Sequence, residues 1–427
     1  MNKEKFVIHG NKKLKGEISA HGAKNATFPL LGASILTNED VIIDNLPLIE
    51  DIFRMIEILE SMGADIEWMG KRKIKINTRK LRPDKIDRSK VLQFRGSVLL
   101  LGPLLARFGE ASLPKPGGCI IGARPIDTHL NAFKDLGMKV EEGSHAVKIK
   151  TDGRAKKKTV ILDEISVTTT ENMLLFSALN EGTITVKLAD MDYQSQELIK
   201  FLKKMGVEIE VGFHIIKIKG KKNLKGVEHK VMYDPIEAGT YIVLAAANKA
   251  NILVKNVELK YQEFPLKLLK KAGVPFKIKK QENGAFSVNV LPWKKLKMEK
   301  VQSLPYPGLP SDMLPLFGVL ATQSQGATVI HDPLYDGRLE YLKGLRKLGA
   351  DVFFSDPHRA VISGPTPLFG SDLGAFDLRA GASLIIAGLM AKGKTVIKDI
   401  YQVDRGYEDI DKALRKLGAD IKRVKDE

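Results

Sequence analysis

The chain has 427 residues, enough for two or three domains, because a single hydrophobic core stops growing at about 250–300 residues. Its 44 % apolar and 28 % charged composition is that of a globular protein and excludes extended disorder. One cysteine excludes an internal disulfide framework, and a net charge of +17 calls for anionic partners: nucleic acid, an anionic membrane or phosphorylated small molecules.

Met1 to Lys5 leads at once into a strand-like run without the apolar region of a signal peptide. No apolar stretch approaches the roughly 18 residues of a membrane span; those near 97–106 and 382–391 contain Gly or Pro and end in charge. A soluble, cytoplasmic protein is expected. Much of the lysine excess lies in short runs such as Lys156 to Lys158, Lys221 with Lys222, and Lys294 with Lys295, which read as solvated surface.

Further along, one pattern recurs six times: a helix end, a glycine, then a strand-turn-strand. The glycines are Gly63, Gly137, Gly206, Gly273, Gly349 and Gly418, at intervals of 74, 69, 67, 76 and 69 residues. Each follows an apolar or basic last turn, the place of a left-handed residue after a helix C-terminus. A second pattern alternates with it, an apolar Ala-rich helix followed by a strand, as at Ala33 before Val41, Ala245 before Ile252 and Ala387 before Thr395. Each unit is therefore about 70 residues of strand, apolar helix, strand, amphipathic helix, strand and strand. The apolar helix should be buried and the amphipathic one outside, with three units to a domain.

Gly388 to Thr395 satisfies the phosphate-loop pattern G-x4-G-K-[ST], but its context is inverted: a helix precedes and a strand follows, so no helix N-terminus faces a phosphate. The eight histidines show no metal-ligand spacing, and no metal is expected. Residues 114–125 hold Cys119 between Pro116 and Pro125, with Gly117, Gly118 and Gly122 beside it. A lone cysteine is commonly a small buried hydrophobe. A Gly-Gly-Cys turn between prolines is a poor core strand, however, and Lys115 and Arg124 favour the thiolate, which points to a reactive loop. Short motifs that the repeat does not require carry Lys24, Arg95, Arg124, Arg338, Arg379 and Arg405 beside or close to glycine. Arginine with a bare backbone suits phosphate or carboxylate. Any one of them alone reads as a surface ion pair, whereas the set reads as a converging polyanion site.

On these residues the chain resembles the enolpyruvyl transferases, in the branch acting on UDP-N-acetylglucosamine. The match runs essentially the full length and is most specific at Pro116 to Pro125, joined by Gly22 to Asn25, Leu309 to Met313, Asp377 to Ala380 and Val403 to Glu408. The resemblance implies an α/β (α+β) fold, a two-domain inside-out α/β barrel built from six βαβαββ repeats. Residues 1–23 and 234–427 would form the C-terminal-type domain with both termini, and residues 24–233 the N-terminal-type domain carrying the Cys119 loop. It also implies the small-molecule substrates phosphoenolpyruvate and UDP-N-acetylglucosamine, no cofactor, no nucleic acid, no membrane, and a monomer.

Residue by residue, the resemblance gives Cys119 as the proton donor to C3 of phosphoenolpyruvate, able also to form a covalent adduct. Asp312 matches the general base beside the sugar hydroxyl. Lys24, Arg124 and Arg405 match the clamp on the phosphate, and Arg338 and Arg379 the contacts to the carboxylate. Asn25, Arg95, Asp127, Ser166, Val167 and Leu334 fall on the sugar-nucleotide side, and Pro125 is a further substrate-binding position. Departures from the family pattern are Thr168 for glycine, Asp336-Gly337 for Glu-Asn, Gln402 for histidine, Pro235 for arginine and Gln194 for glutamate. They motivate a second reading, a divergent paralogue that uses or merely binds another phosphorylated acceptor. A basic nucleic-acid binder is a third; it lacks aromatic-interleaved basic patches.

Overall fold

The computed structural model describes residues 4–115, 125–151, 155 and 158–426. The loop with Cys119 and Arg124 lies outside these residues. The described residues fall into two compact units, one of residues 4–21 and 233–426, the other of residues 22–115 and 125–232.

Each unit is built from apolar helices covered by sheets. In the second unit the inner helices are Lys24–Ala33, Leu101–Phe108 and Val167–Ala178; in the first they are Pro235–Ala247, Leu314–Ala321 and Leu378–Met390. Every residue of Pro235–Ala247 and of Leu314–Ala321 is buried, as helices that are hydrophobic all round must be. The helices Glu50–Ser61, Tyr193–Lys204 and Glu263–Ala272 bury one stripe only, and the latter two end in lysine pairs that suit the negative end of the helix dipole. All six repeat glycines adopt positive φ, between 87° and 104°, each past a helix end. There a side chain would be strained, which is why the repeat keeps glycine.

Sheet topology repeats as well. A parallel edge strand lies beside a central strand, followed by an antiparallel hairpin, as in Lys300–Gln302, Gly326–His331, Arg359–Gly364 and Asp351–Asp356. Three sheets borrow a strand from far away in sequence. Lys15–Ser19 pairs in parallel with Asn251–Val257, and Val227–Lys230 with Val41–Asp44. Glu4–His9 fills the last sheet between Lys394–Lys398 and Asp420–Lys425. One repeat departs from the expected order. Its sheet, Glu110–Pro114, Ala146–Lys150 and Lys139–Glu142, has three strands among the described residues. In place of the edge strand, the segment from Pro83 to Leu100 coils into short helices, one of them capped by Asp87, whose carboxylate accepts from the N–H groups of Ser89 and Lys90.

The phosphate-loop lookalike is a helix-to-strand connection: Leu378–Met390 precedes it, Lys394–Lys398 follows, and Gly393 turns at φ 90°. Among the described residues no helix is long and apolar enough to cross a membrane.

Candidate active site

Six of the candidate residues stand at or just before N-terminal ends of inner helices, where free N–H groups and the helix dipole favour anions. Lys24 opens Lys24–Ala33, Ser166 caps Val167–Ala178, Asp312 lies in the turn Ser311–Met313 before Leu314–Ala321, and Arg379 is held in the first turn of Leu378–Met390 by the Asp377 cap. A cation in a first turn works against the dipole. Such placement is expected where a site, not the fold, sets the residue.

In the unit of residues 4–21 and 233–426, three candidates meet. Asp312 accepts from Arg338 Nη2 at 3.0 Å through one carboxylate oxygen and from Arg379 Nε at 3.1 Å through the other. Both guanidiniums are buried, at 3 % and 2 % exposure, while the Asp312 side chain keeps 30 %. Two positive charges with so little water set a strongly anion-seeking potential. Arg379 also stacks over the Tyr407 ring at 5.3 Å, and the Tyr407 hydroxyl bonds Thr240 Oγ1 at 2.8 Å. Arg405 follows the short helix Tyr401–Asp404 and donates to Gln402 Oε1 at 2.9 Å, so the glutamine that departs from the family orients this arginine. Its neighbour Asp404 is engaged elsewhere, accepting both terminal nitrogens of Arg423. Leu334 is exposed, on the turn after Asp332.

In the unit of residues 22–115 and 125–232, Lys24 is buried and paired with Asp51 Oδ2 at 2.8 Å. Asn25 Nδ2 donates to the Tyr193 hydroxyl at 3.1 Å, and Arg95 Nη2 to the carbonyl of Pro125 at 3.0 Å. Asp127 begins the helix Asp127–Asp135. Ser166 Oγ accepts from the Thr169 N–H, and Val167 opens the same helix.

All but one of the departures from the family pattern have local explanations. Thr168 Oγ1 is 3.1 Å from Nε2 of buried His129. The other ring nitrogen lies 3.0 Å from Asn172 Nδ2, while Asn172 Oδ1 accepts from the Gly102 N–H at 2.7 Å. With its oxygen so committed, the amide donates to Nδ1, and the imidazole carries its proton on Nε2, directed at Thr168. Pro235 takes the first helical position, where a missing N–H costs nothing, behind the Asp234 cap. Asp336 pairs with His358. For Gln194, which is buried, no comparable partner is found among the described residues.

Sequence reasoning missed Asp51, Ser311, Asp332, Tyr407 and His129. Ser311 and Tyr407 lay within motifs that carried the resemblance but received no role there, and Asp332 had only the turn signal of Asp-Pro. Among the described residues no three His, Cys, Asp or Glu side chains gather to hold a metal ion.

Comparison with known proteins places this arrangement of sheet-covered inner helices, with arginines gathered on a carboxylate at a helix start, among the carboxyvinyl transferases. The chain belongs to the EPSP synthase (3-phosphoshikimate 1-carboxyvinyltransferase) family, whose model matches residues 8–424. Among curated relatives, it is 39 % identical to UDP-N-acetylglucosamine 1-carboxyvinyltransferase 1 of Carboxydothermus hydrogenoformans, over 99 % of either chain. It is 37 % identical to UDP-N-acetylglucosamine 1-carboxyvinyltransferase of Treponema denticola, over 97 % of this chain and 98 % of that one. Of solved structures, the enolpyruvyl transferase NikO from Streptomyces tendae superposes with a TM-score of 0.88 at 25 % identity, covering both chains fully. An EPSP synthase from Acinetobacter baumannii, at 18 % identity and a TM-score of 0.76 over 99 % of this chain and all of that one, shares the fold.

Proposed function

We propose that the protein transfers the enolpyruvyl group of phosphoenolpyruvate to the 3′-hydroxyl of UDP-N-acetylglucosamine and releases phosphate, the first committed step of peptidoglycan synthesis. It would act as a monomer in the cytoplasm, and through wall growth bear on cell shape and division. The observation that carries this reading is the Asp312 carboxylate held between two buried guanidiniums, in a chain similar over its full length to relatives bearing that activity in their names.

In this reading the hydroxyl adds to C2 of phosphoenolpyruvate while a proton goes to C3, and phosphate then leaves as a proton is lost from C3. Asp312 takes the hydroxyl proton and Cys119 delivers the other. Lys24, Arg124 and Arg405 hold the phosphate and Arg338 and Arg379 the carboxylate, fixed cations that stabilise charge developing in the transition state. Asn25, Arg95, Asp127, Ser166, Val167 and Leu334 hold the sugar nucleotide, and Pro125 is a further substrate contact. The test is phosphate release from phosphoenolpyruvate on adding UDP-N-acetylglucosamine, with a panel of other UDP-sugars alongside. No release under conditions that support a curated relative overturns the reading. Cys119→Ala should abolish both turnover and labelling by a site-directed alkylating agent, since the chain has no other thiol.

A further inference from the structure

Arg338 distributes its donors unevenly. Nε donates to Ser311 Oγ at 2.8 Å and Nη2 to Asp312 at 3.0 Å, whereas Nη1, buried, has no acceptor among the described residues. A buried guanidinium donor without a partner is costly, and such groups are kept where something else is to be bound. What holds the guanidinium in this attitude lies one step away. Ser311 Oγ is 2.5 Å from Asp332 Oδ2. The carboxylate can only accept, so the single hydroxyl proton of Ser311 goes to Asp332 and its lone pair faces Arg338 Nε. Asp332 is fully buried, and its other oxygen accepts from the N–H groups of Leu334 and Tyr335 at 2.8 and 3.0 Å. One carboxylate thus ties the Ser311 turn to the loop that carries Arg338.

We propose that Asp332 is a positioning residue: acting through Ser311, it fixes the plane of the Arg338 guanidinium so that Nη1 stays directed at the substrate carboxylate. This rests on the reading above, in which Arg338 contacts phosphoenolpyruvate. Without the charge on residue 332 the Ser311 hydroxyl is free to turn, and Arg338 loses the acceptor that sets its rotation. Geometry of this kind is worth orders of magnitude where a charge must meet a charge.

The test uses the full chain with Ser311→Ala, Asp332→Asn, the double variant and Ser311→Thr. KM is measured for each substrate separately, and phosphoenolpyruvate affinity by titration calorimetry. Ser311→Ala and Asp332→Asn should each weaken phosphoenolpyruvate by about 10-fold or more, the scale of a lost charge-assisted hydrogen bond. UDP-N-acetylglucosamine should change much less. The double variant should be no worse than the poorer single one, since both cut the same chain of contacts. Ser311→Thr, which keeps the hydroxyl, should recover most of the affinity. Unchanged phosphoenolpyruvate affinity, equal losses for both substrates, or additive single effects overturn the proposal. Ser311→Ala leaves the Asp332 loop bonds intact, so a misfolded Asp332→Asn still leaves a decisive variant. A wild type that releases no phosphate refutes the proposed function, and calorimetry then decides the positioning role alone.

Discussion

Glu171 and Glu237 are the same residue in equivalent settings, each buried near the start of an inner helix, one in each unit. Their ionisation goes in opposite directions. Around Glu237, burial pushes the pKa up, but His21 outweighs it: the His21 N–H donates to Oε2 at 2.7 Å, its ring lies 3.0 Å from Oε1, and the Tyr241 hydroxyl donates to Oε1 at 2.9 Å. The net shift is downward. Around Glu171, burial is reinforced by the charges of Asp190 and Asp192, and Oε1 has no hydrogen-bond partner among the described residues, so the pKa lies well above the usual range. The pair teaches that depth alone does not decide charge. Neighbours supplied from elsewhere in the chain do.

The largest expected effect breaks the better-connected member. Glu237→Gln puts an amide N–H₂ among donors and removes the charge that His21 and Tyr241 hold. Unfolding in urea at pH 7 should show a loss of about 3 kcal/mol, as for a buried pair with one partner removed. Because the folded pKa of Glu237 is depressed, its contribution is present above the unfolded value and fades as pH falls through the folded one. The wild type should begin to lose this share only as pH falls below the ordinary glutamate value of 4.5 and continue to lose it on further acidification, whereas the variant should show no such loss from this position. A loss well under 1 kcal/mol at pH 7 would show that the His21 and Tyr241 contacts are incidental.

Glu171→Gln should have a smaller effect of opposite sign. An acid whose folded pKa is raised favours folding below its unfolded value, and that contribution is lost as pH rises through the folded one. Asp190, also buried and raised mainly by desolvation, acts in the same direction. Replacing Glu171 with its neutral isostere removes one charge that must form in an apolar place. The alkaline side of the stability profile should flatten, and stability at pH 8 should rise by about 1 kcal/mol. Stability that falls equally at pH 5 and pH 8 would place a charged, partnered carboxylate at this position.

That comparison also shows where the sequence ran out. The repeat was legible because Gly63, Gly137, Gly206, Gly273, Gly349 and Gly418 mark helix ends by a backbone requirement that few other residues meet, and all six adopt positive φ. The phosphate-loop lookalike at Gly388 to Thr395 was legible as a false match for the same local reason. Strand exchange was not: nothing within Glu4–His9 or Val227–Lys230 states which distant sheet it will complete, since pairing partners are set by tertiary packing. Within the candidate site, Lys24, Arg338 and Arg379 stood out as charged residues in motifs. The roles of Ser311 and Asp332 were not legible, because a residue that acts by hydrogen-bonding another charge carries no signature of that action.

Thr168 is the finest case, a position where the sequence shows a departure and the structure a reason. His129 is locked as the Nε2–H tautomer by the Asn172 amide, so its one donor points at the Thr168 hydroxyl. Thr168→Val keeps the shape and removes the hydroxyl that the His129 Nε2–H faces, at a cost of about 1 kcal/mol. Thr168→Ser keeps the acceptor and should cost less than about 0.5 kcal/mol, mainly from freed rotamers. Urea midpoints separate the two, and imidazole nitrogen shifts in the wild type should report the Nε2-protonated form. The Nδ1-protonated form instead would mean that the Asn172 amide is turned and that Thr168 donates to the ring. In that event Thr168→Val would take a donor from the ring acceptor, a lesser penalty than taking an acceptor from a donor, and the gap between the two variants should shrink.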